Sequence, residues 1–283
     1  MSLMHPLVSV IVTTKNEENN IENCLKSILE QSYSHIEIIV VDNLSNDNTK
    51  KIAMKYTKNV YDIKENIDLS KIKNFRGAQL NFGVEKAAGQ IIFFPDADMT
   101  FSKELVKEAV RKLDEFDALY VPETICGNGF LGKVRNFERS FYNETPIDGV
   151  RFVHKKVFFA VGGFDVKNIV FGPDDWDFTK TLKLNNYKLG ITNNMLFHHE
   201  GALTVWAYLS KKGKYINTFD GYINKWGKND PDIKKQFGIW YRFFGVFLEK
   251  GKWKKLITHP LLTIGMYFLR GMVGVMFLIN KRV

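Results

Sequence analysis

The chain has 283 residues, enough for one large domain or one domain with an appendage. Its 45% hydrophobic and 25% charged residues exclude a disordered or collagen-like chain, and its two cysteines, Cys24 and Cys126, exclude a disulfide scaffold or a multi-cysteine zinc module. The net charge of +9 is uneven: residues 201–283 hold 15 Lys and Arg against 4 Asp and Glu, or +11, which leaves −2 for residues 1–200.

That split points to two regions with two jobs, not to one nucleic-acid-binding surface. No phosphate-binding loop, GxGxxG fingerprint or HExxH occurs. The N-terminus runs into a strand-like stretch without a basic leader or cleavage site, so the chain is expected to be unexported.

In chain order, Leu7 to Val12 is a β-branched apolar run of the kind a parallel strand buried on both faces requires. After the polar turn Thr13 to Asn20, Ile21, Cys24, Leu25, Ile28 and Leu29 form one stripe of an amphipathic helix. Ile36 to Val41 is a second strand, ending at Asp42. A helix over Thr49–Tyr56, a short strand near Val60 and a helix over Gly77–Ala88 follow. Gln90 to Pro95 is another buried strand, ending at Asp96-Ala97-Asp98. Leu105–Leu113 reads as helix, Ala118–Val121 as strand, and Lys188–Phe197 as one strand leading into His198-His199-Glu200.

Successive strand–helix units predict a mostly parallel sheet with helices on both faces. Ligands bind such sheets at the carboxyl ends of the strands, which is where Thr14, Asn16, Asp42, Asp96 and Asp98 fall. Two carboxylates at one strand end suit Mg²⁺ or Mn²⁺, commonly held by one or two carboxylates plus substrate phosphates. A solvated turn is the bland alternative, and the neighbouring acids at other strand ends weigh against it.

Val8 to Glu17, Ile38 to Thr49, Asn81-Phe82-Gly83 and Ala88 to Asp98, in that order, resemble glycosyltransferase family 2, inverting enzymes of the GT-A fold; the likeness spans roughly residues 6–200. It implies a Rossmann-like domain over 1–200, with a nucleotide-sugar half to about residue 100 and an acceptor half beyond. It implies that Thr14 and Glu17 touch the nucleoside, that Asp42 accepts from the base, and that Asp96 lies near the ribose or sugar. Asp98 would bind the Mn²⁺ or Mg²⁺ bridging the donor diphosphate. The family's Arg-Asn-x-Gly is Leu80-Asn81-Phe82-Gly83 here, so Arg76 or Lys73 is expected to supply the missing positive charge.

Gly172-Pro173-Asp174-Asp175-Trp176-Asp177 resembles the family's acidic motif at a helix start, which makes Asp175 the expected catalytic base. A positioned carboxylate is one of the groups able to deprotonate an attacking hydroxyl. Capping explains Asp174 or Asp177 equally well. Asp174 and Trp176 are placed at the acceptor, Trp176 as a platform for a sugar face. Strand alternation puts Met195, Phe197 and His199 on one face and Leu196 and His198 on the other. His199 is the expected second metal ligand, with His198 the alternative.

After Gly201, lysines interleave with Trp, Tyr and Phe, and Leu256–Ile279 holds one charge, Arg270. That describes an interfacial membrane surface. One or two helices lying in the cytoplasmic leaflet are expected, in a tail separable after Lys255. A spanning helix, interrupted by Pro260 and Arg270, and a helix packed on the catalytic domain are the alternatives.

The expected protein is a metal-dependent inverting glycosyltransferase at the cytoplasmic face of a membrane. It would take a nucleotide-diphosphate sugar and a glycan or polyprenyl-linked acceptor, and no nucleic acid. A polyprenyl-phosphate glycosyltransferase and an inert nucleotide-sugar-binding scaffold are the rivals.

Overall fold

Seven consecutive buried residues make β1 (Val8–Thr14), and the other strands assemble around it. A computed structural model of the protein describes residues 5–170, 172–201, 204–215 and 218–280. In chain order β1 is followed by α1 (Ile21–Leu29), β2 (Ile36–Asp42), α2 (Thr49–Ala53), β3 (Val60–Asp62), α3 (Ile63–Asn66), α4 (Phe75–Lys86), β4 (Ile91–Phe93) and β5 (Met99–Phe101). Next come α5 (Leu105–Lys112), β6 (Ala118–Tyr120), β7 (Glu123–Gly127), α6 (Gly129–Arg139), β8 (Val150–His154), α7 (Lys155–Ala160), α8 (Asp174–Leu184), β9 (Leu189–Ile191) and β10 (Leu196–Gly201). The tail forms α9 (Val205–Tyr215), α10 (Asp220–Trp226), α11 (Pro231–Phe237), α12 (Val246–Leu248), α13 (Trp253–Thr258) and α14 (Pro260–Asn280).

The main sheet has the order β3-β2-β1-β4-β8-β6-β9 and is parallel except at β8, which runs against both neighbours. Alternation along β1 sends Val8, Val10 and Val12 toward α1 and α5, while Ile11 meets α4, α7 and α8 on the other face. A second sheet has the order β5-β10-β7, and its first strand begins shortly after β4 ends. The single expected strand over Lys188–Phe197 is thus two strands in two sheets. Between them, Glu108 accepts from the backbone of Asn193 and Asn194 and pins the turn.

The tail does not separate after Lys255, and that expectation is corrected. Met266 and Leu269 of α14 are buried with Tyr208 and Leu209 of α9 against Val134, Phe137 and Phe141 of α6 and the residues after it. Cutting the chain before α14 would uncover those side chains. Close approach of α6 to β7 requires Gly132, where a Cβ would stand 2.2 Å from the Gly127 carbonyl oxygen.

Arg270 is buried and donates to Glu138 at 2.6 Å and to the Tyr142 hydroxyl at 2.7 Å, and its other guanidinium nitrogen donates to the Arg242 carbonyl. Glu138 also pairs with Arg135 at 3.0 Å. A charge read as a defect in a membrane helix is therefore half of a buried ion pair. No helix among the described residues is long and apolar enough to cross a membrane.

Burial alone would raise the Glu138 pKa, but Arg270 and Arg135 outweigh it and hold the group at about 2. Because that folded value lies below the unfolded one, the stabilisation is present above pH 4.5 and is lost as pH falls from there toward 2. The gap corresponds to about 3 kcal/mol. Glu138→Gln should therefore lose about 3–5 kcal/mol at neutral pH, because two arginines are left short of a partner. Its urea midpoint should also fall less steeply than the wild type's on acidification. Equal slopes for the two proteins would show that this pairing does not anchor α14.

Candidate active site

A cleft of about 740 Å³ opens where β1, β2 and β4 end, lined by Thr14, Glu17, Arg76, Asp96, Asp98, Asp175 and His198 among others. That volume is in the range of sites for ligands the size of a nucleotide sugar. Asp96 follows β4 and bridges in parallel to Thr13 of β1, so the two strand ends share one rim. Gln79 of α4 ties that rim together by donating to the carbonyls of Thr14 and Val41.

Arg76 is the hub. Asn74 caps α4 by accepting from the Gly77 amide, which places Arg76 in the helix's first turn. Its Nε donates to Asp96 at 2.9 Å, and its Nη1 to Asp174 and Asp175 at 3.0 Å each. Its Nη2 is buried without a partner. Arg151 of β8, which sequence reasoning missed, approaches Asp96 at 3.3 Å and Asp175 at 3.8 Å. Burial would raise the Asp96 pKa, but the two arginines outweigh it and hold the group at about 2.

Asp175 stands in the first turn of α8 and is about one-fifth exposed. It packs against Gly149, where a Cβ would lie 2.7 Å from the Asp175 Cβ. Asp174 also lines the cleft. It is 4% exposed, with its oxygens taken by Arg76 and the Gly172 amide, and burial raises its pKa against the pull of Arg76.

The expectation for Trp176 is corrected. It stacks on Phe219 with centroids 5.9 Å apart, packs against Tyr222 and Phe237, and is not among the residues lining the cleft. Its indole joins α8 to the tail at α10 and α11. Asp177 acts alongside it, accepting from Trp226 at 2.7 Å and Lys225 at 2.8 Å.

The histidine expectation moves by one residue. His198, not His199, turns to Asp98, with Nε2 to Oδ2 at 3.0 Å, while His199 Nε2 meets Thr100 Oγ1 at 2.9 Å. In the antiparallel β10–β5 register His198 lies opposite Met99, next in sequence to Asp98. Nδ1 of His198 contacts Glu123 at 2.9 Å, and Glu123 pairs with Arg139 at 3.1 Å, which pairs with Asp148 at 2.8 Å. Burial opposes a charge on His198, but Asp98 and Glu123 prevail and raise its pKa to about 10.

Asp98 Oδ1 is buried and unpartnered. Among the described residues no cluster of three or more His, Cys, Asp or Glu is preassembled for a metal. A hard cation held by one carboxylate and a donor's phosphates needs no such cluster, so a lone unsatisfied carboxylate oxygen fits that group.

Thr14 and Glu17 line the cleft as expected, and Thr14 Oγ1 is buried without a partner. Burial, with Asp98 and Asp96 nearby, raises the Glu17 pKa although Asn20 donates to it. Asp42 does not line the cleft. It is fully buried and accepts from the Ser45 amide at 2.8 Å and the Ser45 hydroxyl at 2.5 Å, so it closes its own turn instead of reaching a base. Asn43 stands in the lining in its place.

A family model described as glycosyl transferase family 2 matches residues 9–166. The chain is 27% identical over 256 residues to TuaG of Bacillus subtilis, a glycosyltransferase named for teichuronic acid biosynthesis, with 90% of this chain and 86% of that one covered. It is 29% identical over 136 residues to the GalNAc(5)-diNAcBac-PP-undecaprenol beta-1,3-glucosyltransferase of Campylobacter jejuni, which takes in 48% of this chain and 42% of that one. A mannosyltransferase from Pyrobaculum calidifontis, solved with GDP-Man and Mn²⁺, superposes with a TM-score of 0.63 at 20% identity, over 97% of this chain and 85% of that one.

Proposed function

We propose a reaction on the premise that this chain belongs to glycosyltransferase family 2 and has the GT-A fold. The reading is an inverting, divalent-metal-dependent transfer of a sugar from a nucleotide-diphosphate donor to a hydroxyl of a glycan or lipid-linked saccharide, at the cytoplasmic face of a membrane. One observation carries it. Asp98, with a buried unsatisfied oxygen, and Asp175, at a helix start, open onto the same cleft, and Arg76 joins Asp175 to Asp96, two residues before Asp98 in sequence.

Asp98 would hold the cation through its unsatisfied oxygen, and His198 would join it only on giving up the Nε2 proton it shares with Asp98; the bound cation would neutralise charge on the diphosphate. Thr14, Glu17 and Asn43 line the nucleoside end, and Lys15, Lys73 and Lys211 add positive charge around the cleft. Asp175 takes the acceptor's proton as its oxygen attacks the anomeric carbon. The bond from that carbon to the phosphate oxygen breaks on the opposite face, and the electron pair leaves with the nucleoside diphosphate.

Arg76 couples the two halves. In the free protein it pairs with Asp175, so that oxygen is occupied by the guanidinium. Donor phosphates would engage the guanidinium through its unpartnered Nη2 and free the Asp175 oxygen to meet the acceptor hydroxyl.

A thermal-shift panel of nucleoside diphosphates, with and without Mn²⁺, tests the reading. One base should raise the unfolding temperature with Mn²⁺ and do so far less without it, since a ligand at a hundred times its Kd adds about 2.7 kcal/mol. No shift with any base would overturn it.

A further inference from the structure

The helix that anchors the tail is apolar on its outer side as well as its inner one. Met266 and Leu269 of α14 face inward, and Arg270 is held there by Glu138. Ile257 of α13 and Leu261, Ile264, Phe268 and Val275 of α14 face out, each between 56% and 72% exposed. The four on α14 are spaced i, i+3, i+7 and i+14 and fall on one narrow stripe. Trp240, 71% exposed, extends it through Phe244, whose ring lies 5.1 Å from Trp240 and 6.5 Å from Tyr267. A stripe this continuous on a surface marks something that covers it.

We propose that this face seats α14 flat in the headgroup region of an anionic lipid leaflet. Charge selects that occupant. Residues 238–280 carry six Lys and Arg against one acid, Glu249, and exposed Lys250 and Lys254 flank exposed Trp253 beside the stripe. Two copies of so basic a face would repel each other, whereas anionic headgroups attract it. Buried pairing of Arg270 on the inner side holds the helix along the protein surface, so the outer side enters the interface without crossing it.

The cleft lies one helix away. α9 packs Tyr208 and Leu209 into the cluster beneath α14, while its Lys211 lines the cleft. An acceptor carried on a lipid would therefore reach Asp175 from the side the membrane occupies. The surface rests on the reaction proposed above only for that acceptor, so its test omits donor and acceptor.

The full chain is mixed with vesicles of phosphatidylcholine alone or with about one-third phosphatidylglycerol, in low and high salt, and sedimented. Binding should need the anionic lipid, weaken in high salt and persist in part there. The exposed-face double variant Ile264→Glu/Phe268→Glu should bind at least about tenfold more weakly with an unchanged unfolding temperature. As a measurement free of any folding change, brominated acyl chains should quench the wild-type tryptophan emission, and Trp240→Phe should remove part of the quenching.

Three results would overturn the proposal: no wild-type binding to either vesicle, no quenching, or wild-type dimers that the double variant splits while vesicle binding is unchanged. The last would assign the face to a second copy. Failure of nucleotide binding would leave this result standing, and the reverse also holds.

Discussion

Asp175→Asn is expected to leave donor binding intact and to lower kcat by about two to four orders of magnitude, the usual worth of a general base. Asparagine keeps the shape and one acceptor oxygen, so the contact with Gly149 is preserved. Arg76 remains paired with Asp96 and Asp174, so the donor side of the cleft keeps its form. What disappears is the group that takes the proton. Calorimetry of nucleotide binding beside single-turnover kinetics separates the two effects. Collapse of donor affinity would place Asp175 in the donor site. A loss below about tenfold with a phosphate-bearing acceptor would favour attack by phosphate, which needs little base strength.

Asp98→Ala should abolish the divalent-ion dependence of nucleotide binding, because it removes the unsatisfied buried oxygen proposed to meet the cation. The same change removes the Nε2 partner of His198, which keeps Glu123 on its other nitrogen. His198 should therefore stay oriented and the fold intact. Thermal shifts with Mn²⁺ and nucleoside diphosphate, together and apart, read the effect without requiring activity. An unchanged Mn²⁺ response would move the metal site elsewhere. His199→Ala should leave that response untouched, since the His199 imidazole meets Thr100 and not the Asp98 carboxylate, and alanine keeps the backbone bond to the Asp98 carbonyl.

The comparison of His198 with His199 shows how far periodicity reaches. Alternation correctly divides residues 195–199 between two faces, but it carries no information about which face meets Asp98. That depends on β10 pairing with β5 in a register placing His198 opposite Met99, and those strands are about a hundred residues apart in sequence. The second sheet was invisible for a related reason. β5 is three residues long and β7 is five, too short for a period to stand out. Arg151, Arg139 and Glu123 went unread because isolated charges in a sequence look like solvated surface. A charged residue alternating with buried ones, as Arg151 does in Val150–His154, was the available signal.

By itself, the sequence determined the parallel frame and its reactive rim. A strand buried on both faces must be a near-continuous apolar run, and Leu7–Val12, Ile36–Val41 and Gln90–Pro95 satisfy that locally, each ending in the polar residues that form the rim. Only the tertiary structure decided what the acids and the tail do. Asp42 is consumed by hydrogen bonds, Asp174 is held at the cleft by Arg76, Trp176 faces the tail, and Arg270 finds Glu138 across 132 residues. A charge or an indole is equally at home in water, in an ion pair or on a ligand. Its partner, not its own chemistry, selects among these, and the fold brings that partner from a distant part of the chain.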